Sequence, residues 1–277
     1  MTAPCHDSWG SCYGPAAPMH LPDGVLPMRE WLPLSVAAGA VFSAASHRAR
    51  ITLEPQRLPA LGFMAAVVLV LQMVNFPIIG GASGHLTGTA FLVFVAGAEA
   101  AAIAMASVLA LQALAFQDGG LLALGANYLN LVVAPLLCAV VASTYARRAR
   151  NNPRRLSWIV AVGTFAGSVF GALTCSLQLG FAGVAPVRSV AAWLCGCHAF
   201  IGLLEGALTA AAVTALARRG LAFGIGIESD SRPAASRWLG SIFALGVAAA
   251  LLIPAASTRP DTLEKLLHRA DALSTRH

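Results

Sequence analysis

LTGTAFLVFVAGAEAAAIAMASVLALQALAFQ, residues 86–117, is the stretch that decides the fold, and its only charged residue is Glu99. At 1.5 Å per residue it is too long for one helical crossing of a hydrocarbon core of ~30 Å and too short for two full crossings. The break falls at Gly97-Ala98-Glu99. We therefore predict two helices here, 86–96 and 99–117.

The composition of the whole chain shows which solvent these helices meet. Of its 277 residues, 57% are hydrophobic and 11% are charged, against about 25% charged residues in soluble domains. The apolar residues form runs of about 20, the length that crosses a bilayer. The sequence predicts an all-α fold, a polytopic membrane helix bundle of about seven spans plus one C-terminal accessory span. The predicted spans are 31–47, 59–79, 86–96, 99–117, 122–146, 156–179, 188–217 and 236–256.

The arginines support the break at 97–99. The net charge is +6, but the basic clusters at 48–57, 147–155 and 218–219 adjoin apolar runs, which indicates membrane topology rather than binding of nucleic acid. With two helices in 86–117 all three clusters fall on one side, which the positive-inside rule assigns to the cytoplasm. The N-terminal region, the loop with His85 and the C-terminal tail then face outward.

The polar stretches divide the chain into four parts. Residues 1–18 lack the apolar core of a signal peptide and are predicted to be an extension with a misassigned start. Residues 19–220 form the main membrane domain, 221–235 a polar linker, and 236–277 an accessory helix with its tail. The six cysteines lack the spacing of a zinc ribbon, and they imply no disulfide framework.

Two histidines on the predicted outward side are candidate metal ligands. His20 follows Met19, and His85 lies in a glycine-rich turn of the kind tolerated at membrane depth only where it is buried or lines a cavity. Imidazole suits nickel, copper, zinc and iron, and a planar set of nitrogens favours nickel or copper over magnesium or calcium. The alternative is structural: His85 caps the next helix and His20 is a loop residue.

Other polar residues admit two interpretations each. The turn at Asp118 could line a cation entry path, but Asp-Gly-Gly is also typical of an ordinary tight turn. His198 and Glu205 share one helix face and are functional candidates, or they contact neighbouring helices. Cys195 and Cys197 beside His198 resemble a soft-metal cluster, although adjacent positions on a helix point in different directions.

Four blocks resemble the CbiM/NikM family, the substrate-specific components of energy-coupling-factor transporters for cobalt and nickel. They are MHLPDGVLP at 19–27, GGASGHLTG at 80–88, QALAFQDGGLLALGAN at 112–127 and HAFIGLLEGALT at 198–209. Their order and spacing match the family. PDTLE at 260–264 is similar to the Pro-Asp-Gly-Leu-Glu motif of the small accessory component, with Thr262 in place of the glycine.

The resemblance implies a ligand set and partners. The ion would be held by the terminal amine of Met19, the backbone nitrogen and imidazole of His20, and the imidazole of His85. Co²⁺ or Ni²⁺ would be the transported substrate, with no organic cofactor. The partners would be a membrane scaffold (T) subunit, cytoplasmic ATPase subunits and the lipid bilayer of the inner membrane. Met19 is not the first residue, so we expect the active protein to begin there.

The predicted function is metal binding and import, not enzymatic catalysis. The sequence contains no His-Glu-x-x-His, Gly-x-Ser-x-Gly or Walker A motif, so ATP hydrolysis would belong to another chain. The alternative is a stand-alone secondary transporter of divalent transition metal ions that uses Glu99 or Glu205 as relay groups. The same nitrogen donors serve cobalt and nickel, and the choice between them stays open.

Overall fold

The computed structural model describes residues 20–78, 83–228, 263 and 265–267. Within them the chain is a bundle of helices with two short hairpins, which confirms the all-α membrane fold. The helices are α1 (Met28–Thr52), α2 (Leu58–Met73), α3 (Thr89–Ala96), α4 (Ala98–Leu111), α5 (Leu124–Tyr128), α6 (Ala134–Arg148), α7 (Pro153–Phe181) and α8 (Val187–Ala217). One-turn 3₁₀ helices cover Pro55–Arg57 and Phe223–Ile225, and π-helical segments cover Gln112–Phe116 and Leu129–Val133. The strands are β1 (Phe76–Pro77), β2 (Ser83–Gly84), β3 (Leu221–Ala222) and β4 (Ile227–Glu228).

The predicted break in 86–117 is present at Gly97. This glycine has φ +97°, a conformation that residues with a Cβ rarely adopt, and it separates α3 from α4. The helix before it is shorter than predicted, with eight residues and a length of about 12 Å. It starts only at Thr89 because residues 83–88 form part of a loop that runs among the helices.

Five helical segments in the described part of the chain are long and apolar enough to cross a membrane. They are Pro55–Met73, Ala98–Phe116, Leu124–Arg148, Pro153–Phe181 and Val187–Ala217. Helix α1 has 25 residues but is less apolar, and α3 is too short to cross alone. The predicted accessory span 236–256 lies outside the described residues.

The basic clusters share one end of the bundle, which we call the arginine end and define by Arg48, Arg57, Arg147 and Arg218. Arg48 on α1 binds Glu99 at the start of α4 at 3.0 Å. Arg147 at the end of α6 donates to the Gly224 carbonyl at 3.1 Å. Arg57 lies over the Phe223 ring, with the guanidinium carbon 4.0 Å from the centroid. The predicted grouping of the arginines is therefore present.

Glycines on α7 and α8 let three long helices approach closely. Added Cβ atoms at Gly163 and Gly167 would press on Ala142 and Pro135 of α6, and one at Gly206 would press on the Ala161 backbone of α7. Small residues four positions apart are the usual contact surface of membrane helices, because lipid gives helices no hydrophobic reason to associate and they rely on close packing.

Residues 221–228, which the sequence assigns to a linker, form a hairpin packed on the bundle. Leu221, Ala222 and Ile225 are fully buried, and β3 pairs with β4 in antiparallel register. Gly224 contacts the carbonyls of Val93 and Phe94 at the end of α3. The apolar side chains thus cover the end of the short helix, which explains why this stretch is folded.

The described part of the C-terminal tail lies at the opposite end. Leu263 and Leu266 are buried in a cluster with Leu21, Val190 and Leu194, and Nζ of Lys265 lies 5.8 Å from the Trp193 ring centroid. This placement agrees with the predicted position of the tail, at the end away from the arginines.

Candidate metal centre

The two candidate histidines lie together at the end of the bundle opposite the arginines, which we call the histidine end and define by His20, His85 and Asp118. The ring centroids of His20 and His85 are 5.5 Å apart, with an interplanar angle of 71°. His20 is 2% exposed. Its Nδ1 lies 3.3 Å from Oδ1 of Asp118, but neither ring nitrogen makes a hydrogen bond among the described residues.

Asn127 on α5 holds the backbone beside His20. The Leu21 amide donates to the Asn127 side-chain oxygen at 2.9 Å, and the Asn127 amide nitrogen donates to the Leu21 carbonyl at 3.0 Å. Leu21 is buried, so these two hydrogen bonds satisfy backbone groups that water would satisfy in an exposed segment. The position of His20 is thereby tied to the membrane helix.

Asp23 joins the same segment to the turn before α5. Its carboxylate accepts hydrogen bonds from the amides of Leu121, Leu122 and Ala123 at 3.1, 2.8 and 3.1 Å. These amides precede a helix and have no helical partner, so a carboxylate there is favourable. Gly120 donates to the Leu21 carbonyl at 2.9 Å, and it lies so close to Asp23 that an added Cβ would collide with it.

The loop carrying His85 is held from deeper in the bundle. Oε1 of Glu205 on α8 accepts from the Thr87 hydroxyl at 2.6 Å and from the Gly88 amide at 2.8 Å. The Gln72 side chain on α2 donates to the Thr87 carbonyl at 2.6 Å. Membrane depth offers no water to these backbone groups, so buried side chains satisfy them.

One ring nitrogen of His85 keeps its lone pair. Its Nδ1 lies 3.2 Å from the Leu86 carbonyl. A carbonyl only accepts, so in this bond Nδ1 donates its hydrogen and Nε2 keeps its lone pair. Burial, followed by the neighbouring His20, lowers the pKa of His85 to about 4. The ring is therefore neutral at physiological pH, the form that binds metal ions.

A cavity of about 60 Å³ adjoins the two histidines and is also lined by Thr87, Asn127 and Asn130. His198 reaches the same cavity, and its Nδ1 lies 2.9 Å from the Leu194 carbonyl. Its predicted neighbours on α8 point elsewhere: Cys197 packs with Ile78 and Ile201, and Cys195 packs in another cluster. The cysteines and His198 thus form no joint site.

Side chains alone do not complete a metal site here. No group of three or more His, Cys, Asp or Glu side chains placed to hold a metal occurs among the residues described. The resemblance assigns the remaining donors to backbone nitrogens. Met19 lies outside the described residues. Asp118, in a sequence typical of an ordinary turn, lies beside His20. The roles of Asp23 and Asn127 carry no signal beyond the family blocks at 19–27 and 112–127.

Comparison with known proteins identifies the family. Residues 20–222 match the family described as the cobalt uptake substrate-specific transmembrane region, CbiM. Cobalt transport protein CbiM 1 of Pelobacter propionicus is 32% identical over 213 residues, covering 72% of this chain and 91% of the relative. The fused nickel transport protein NikMN of Rhodobacter capsulatus is 32% identical over 163 residues, covering 58% of this chain and 47% of the relative, so the match spans about half of that relative.

A solved structure titled as a transition metal transporter shares the fold. It superposes with a TM-score of 0.63 at 24% identity, covering 73% of this chain and 93% of that structure. The candidate spans agree with a multi-pass membrane protein. The chain belongs to the CbiM/NikM family of cobalt and nickel transport components.

Proposed function

We propose that this chain captures Co²⁺ or Ni²⁺ at its histidine end, facing outward, as the substrate-binding subunit of an ATP-driven importer. The observation that carries the proposal is the pairing of buried His20 with half-buried His85, 5.5 Å apart between ring centroids. Neutral imidazoles are preferred ligands of these ions. Both ring nitrogens of His20 are buried without a hydrogen-bond partner among the described residues, which costs free energy unless a ligand satisfies them.

The remaining donors in this proposal are the backbone nitrogen of His20 and the amine of Met19. Amine, amide and imidazole from consecutive residues form fused chelate rings, and the His85 imidazole completes a planar set of four nitrogens, a geometry suited to nickel. The amine requires a mature chain that begins at Met19. N-terminal sequencing of protein that binds metal tests this: a tightly binding chain that starts at Met1 would exclude the amine ligand.

The outward direction rests on the charge asymmetry. Arginines collect at the end opposite the two histidines, and the positive-inside rule places such an end in the cytoplasm. The membrane scaffold and ATPase subunits of the proposed complex would then supply the energy for import from that side. The carboxylates that a stand-alone carrier would use as relays have other contacts, since Glu99 pairs with Arg48 and Glu205 holds the 87–88 loop.

Isothermal titration with Ni²⁺ and Co²⁺ tests the site. We expect His20→Ala and His85→Ala each to abolish high-affinity binding, because a chelate that loses one nitrogen is left with an open position. His47→Ala is the matched control: this histidine is exposed on α1, and its loss should leave the affinity unchanged. Near-normal affinity in both site variants would refute the proposed ligands.

A further inference from the structure

Two buried polar side chains outside the histidine pair act on one loop. Glu205 is 1% exposed and Gln72 is fully buried, and they come from different helices, α8 and α2. Their three hydrogen bonds all end on Thr87 and Gly88. His85 is two positions before Thr87. We propose that Glu205 and Gln72 are positioning residues that hold His85 opposite His20, which rests on the proposed function.

Burying the Glu205 side chain costs free energy of hydration, and two hydrogen bonds recover only part of this loss, so an apolar side chain would often be as stable. Oε1 of Glu205 faces the turn where α3 begins, whereas Oε2 is buried without a hydrogen-bond partner among the described residues. The Thr87 hydroxyl and the Gly88 amide are both donors, and a carboxylate oxygen accepts from both.

Before His85 the loop is held by the pairing of β2 with β1, and close apolar packing surrounds it. Gly88 has φ +75° and lies against the Val68 side chain, and Gly84 lies against Ile201 of α8. These contacts are apolar and close, but unlike hydrogen bonds they do not fix the orientation of the backbone. Directional bonds from Glu205 and Gln72 fix the backbone on the C-terminal side of His85. A metal site needs its ligands within about 0.5 Å of the binding geometry, which such bonds supply.

The chain offers a matched control for this effect. Gln112 is fully buried like Gln72, but neither atom of its amide has a hydrogen-bond partner in the described structure. Gln72→Leu and Gln112→Leu therefore make the same chemical change at buried positions. Only the first removes a bond to the loop that carries His85.

The experiment measures Ni²⁺ affinity of the purified full chain by titration, together with the thermal midpoint of each metal-free variant. We expect Gln72→Leu and Thr87→Val each to weaken binding by about 10–100-fold, the usual effect of losing a partner of a metal ligand. Thr87→Ser keeps the hydroxyl and should stay within about threefold of the parent chain, since the bond to Glu205 remains. Gln112→Leu should also stay within that range. Thr87→Val removes the hydroxyl that Glu205 accepts from and leaves the buried Glu205 side chain unchanged.

A structural role alone would give another pattern. Normal affinity in both Gln72→Leu and Thr87→Val would overturn the proposal. It would also be overturned if the losses of affinity paralleled the decreases in thermal midpoint and Gln112→Leu showed the same loss. In a His85→Ala background, Gln72→Leu should not weaken the residual binding further, because its effect passes through His85. A further loss there would also overturn it. If His85→Ala itself binds normally, the proposed function fails; if only the positioning variants bind normally, this inference alone fails.

Discussion

The two ends of the bundle use polar residues in opposite ways. At the histidine end, Asn127, Asp23 and Glu205 bind backbone groups, and the bonds of Asn127 and Glu205 are buried. At the arginine end, charges lie near the surface, as in the pair of Arg48 and Glu99. Buried polar bonds fix geometry, whereas exposed charges mainly set topology in a membrane protein. One end of the bundle therefore fixes the positions of backbone segments, and the other sets the orientation of the protein in the membrane.

The largest effect of this difference should come from Gly120→Ala. A Cβ at this position would collide with the backbone nitrogen and carboxylate of Asp23, so the segment that carries His20 has to move. We expect the Ni²⁺ affinity to fall by about 100-fold, the upper part of the range for a displaced metal ligand. Isothermal titration measures it. Gly196→Ala, where an added Cβ meets nothing within 4 Å, should bind normally; equal losses in both variants would show that the loss does not come from the contact between Gly120 and Asp23.

Asn127→Leu should have the next largest effect. It removes both bonds to the Leu21 backbone, and we expect about a 10-fold loss of Ni²⁺ affinity because His20 is then held less tightly. The comparison is Gln178→Leu, which breaks the paired amide bonds between Gln178 and Asn130 at 2.8 and 2.9 Å. That pair joins two helices rather than a ligand segment. Titration should find its affinity close to the parent value, and an equal loss would contradict the special role of Asn127.

The sequence predicted the parts of this architecture that depend on composition and local motifs. The break at Gly97 followed from the length of 86–117, and the common end of the arginines followed from that break. The short α3 did not follow, because Leu86 and Thr87 extend the apolar pattern. Gly88, directly before the helix, has φ +75°, and the distant residues Glu205 and Gln72 bind Thr87 and Gly88. Partners so distant in sequence leave no periodic signal.

The candidate site was predictable to a similar extent. His20 and His85 stand out by residue type and by the family resemblance. Asp118 had an ordinary turn sequence, and its position beside His20 depends on the fold of three separate segments. In the sequence Asn127 resembles any helix residue, and its two hydrogen bonds with the Leu21 backbone are found only in the structure. Long-range hydrogen bonds of this kind become visible only in three dimensions.

Gly224→Ala tests a substitution at the arginine end. Its Cβ would press on the carbonyls of Val93 and Phe94, and overfilling a packed site costs about 1–3 kcal/mol. We expect a lower thermal midpoint but a Ni²⁺ affinity within about twofold of the parent, since distant sites act independently. Thermal unfolding and titration of the same preparation separate the two quantities. A strong loss of affinity would mean that the two ends are coupled.

The smallest effect should come from the ion pair of Arg48 and Glu99. Their side chains are 71% and 26% exposed, and the two atoms lie 3.0 Å apart. Solvent screens such pairs, and ordering two long side chains costs entropy, so the coupling is about 0.2–1 kcal/mol. A double-mutant cycle with Arg48→Ala and Glu99→Gln measures it in the unfolding free energy, and added salt should reduce it further. A coupling well above this range would show that the pair is shielded from water in the membrane, because desolvation strengthens the attraction between two charges. The arginine end would then fix geometry as the histidine end does, and the contrast between the two ends would be lost.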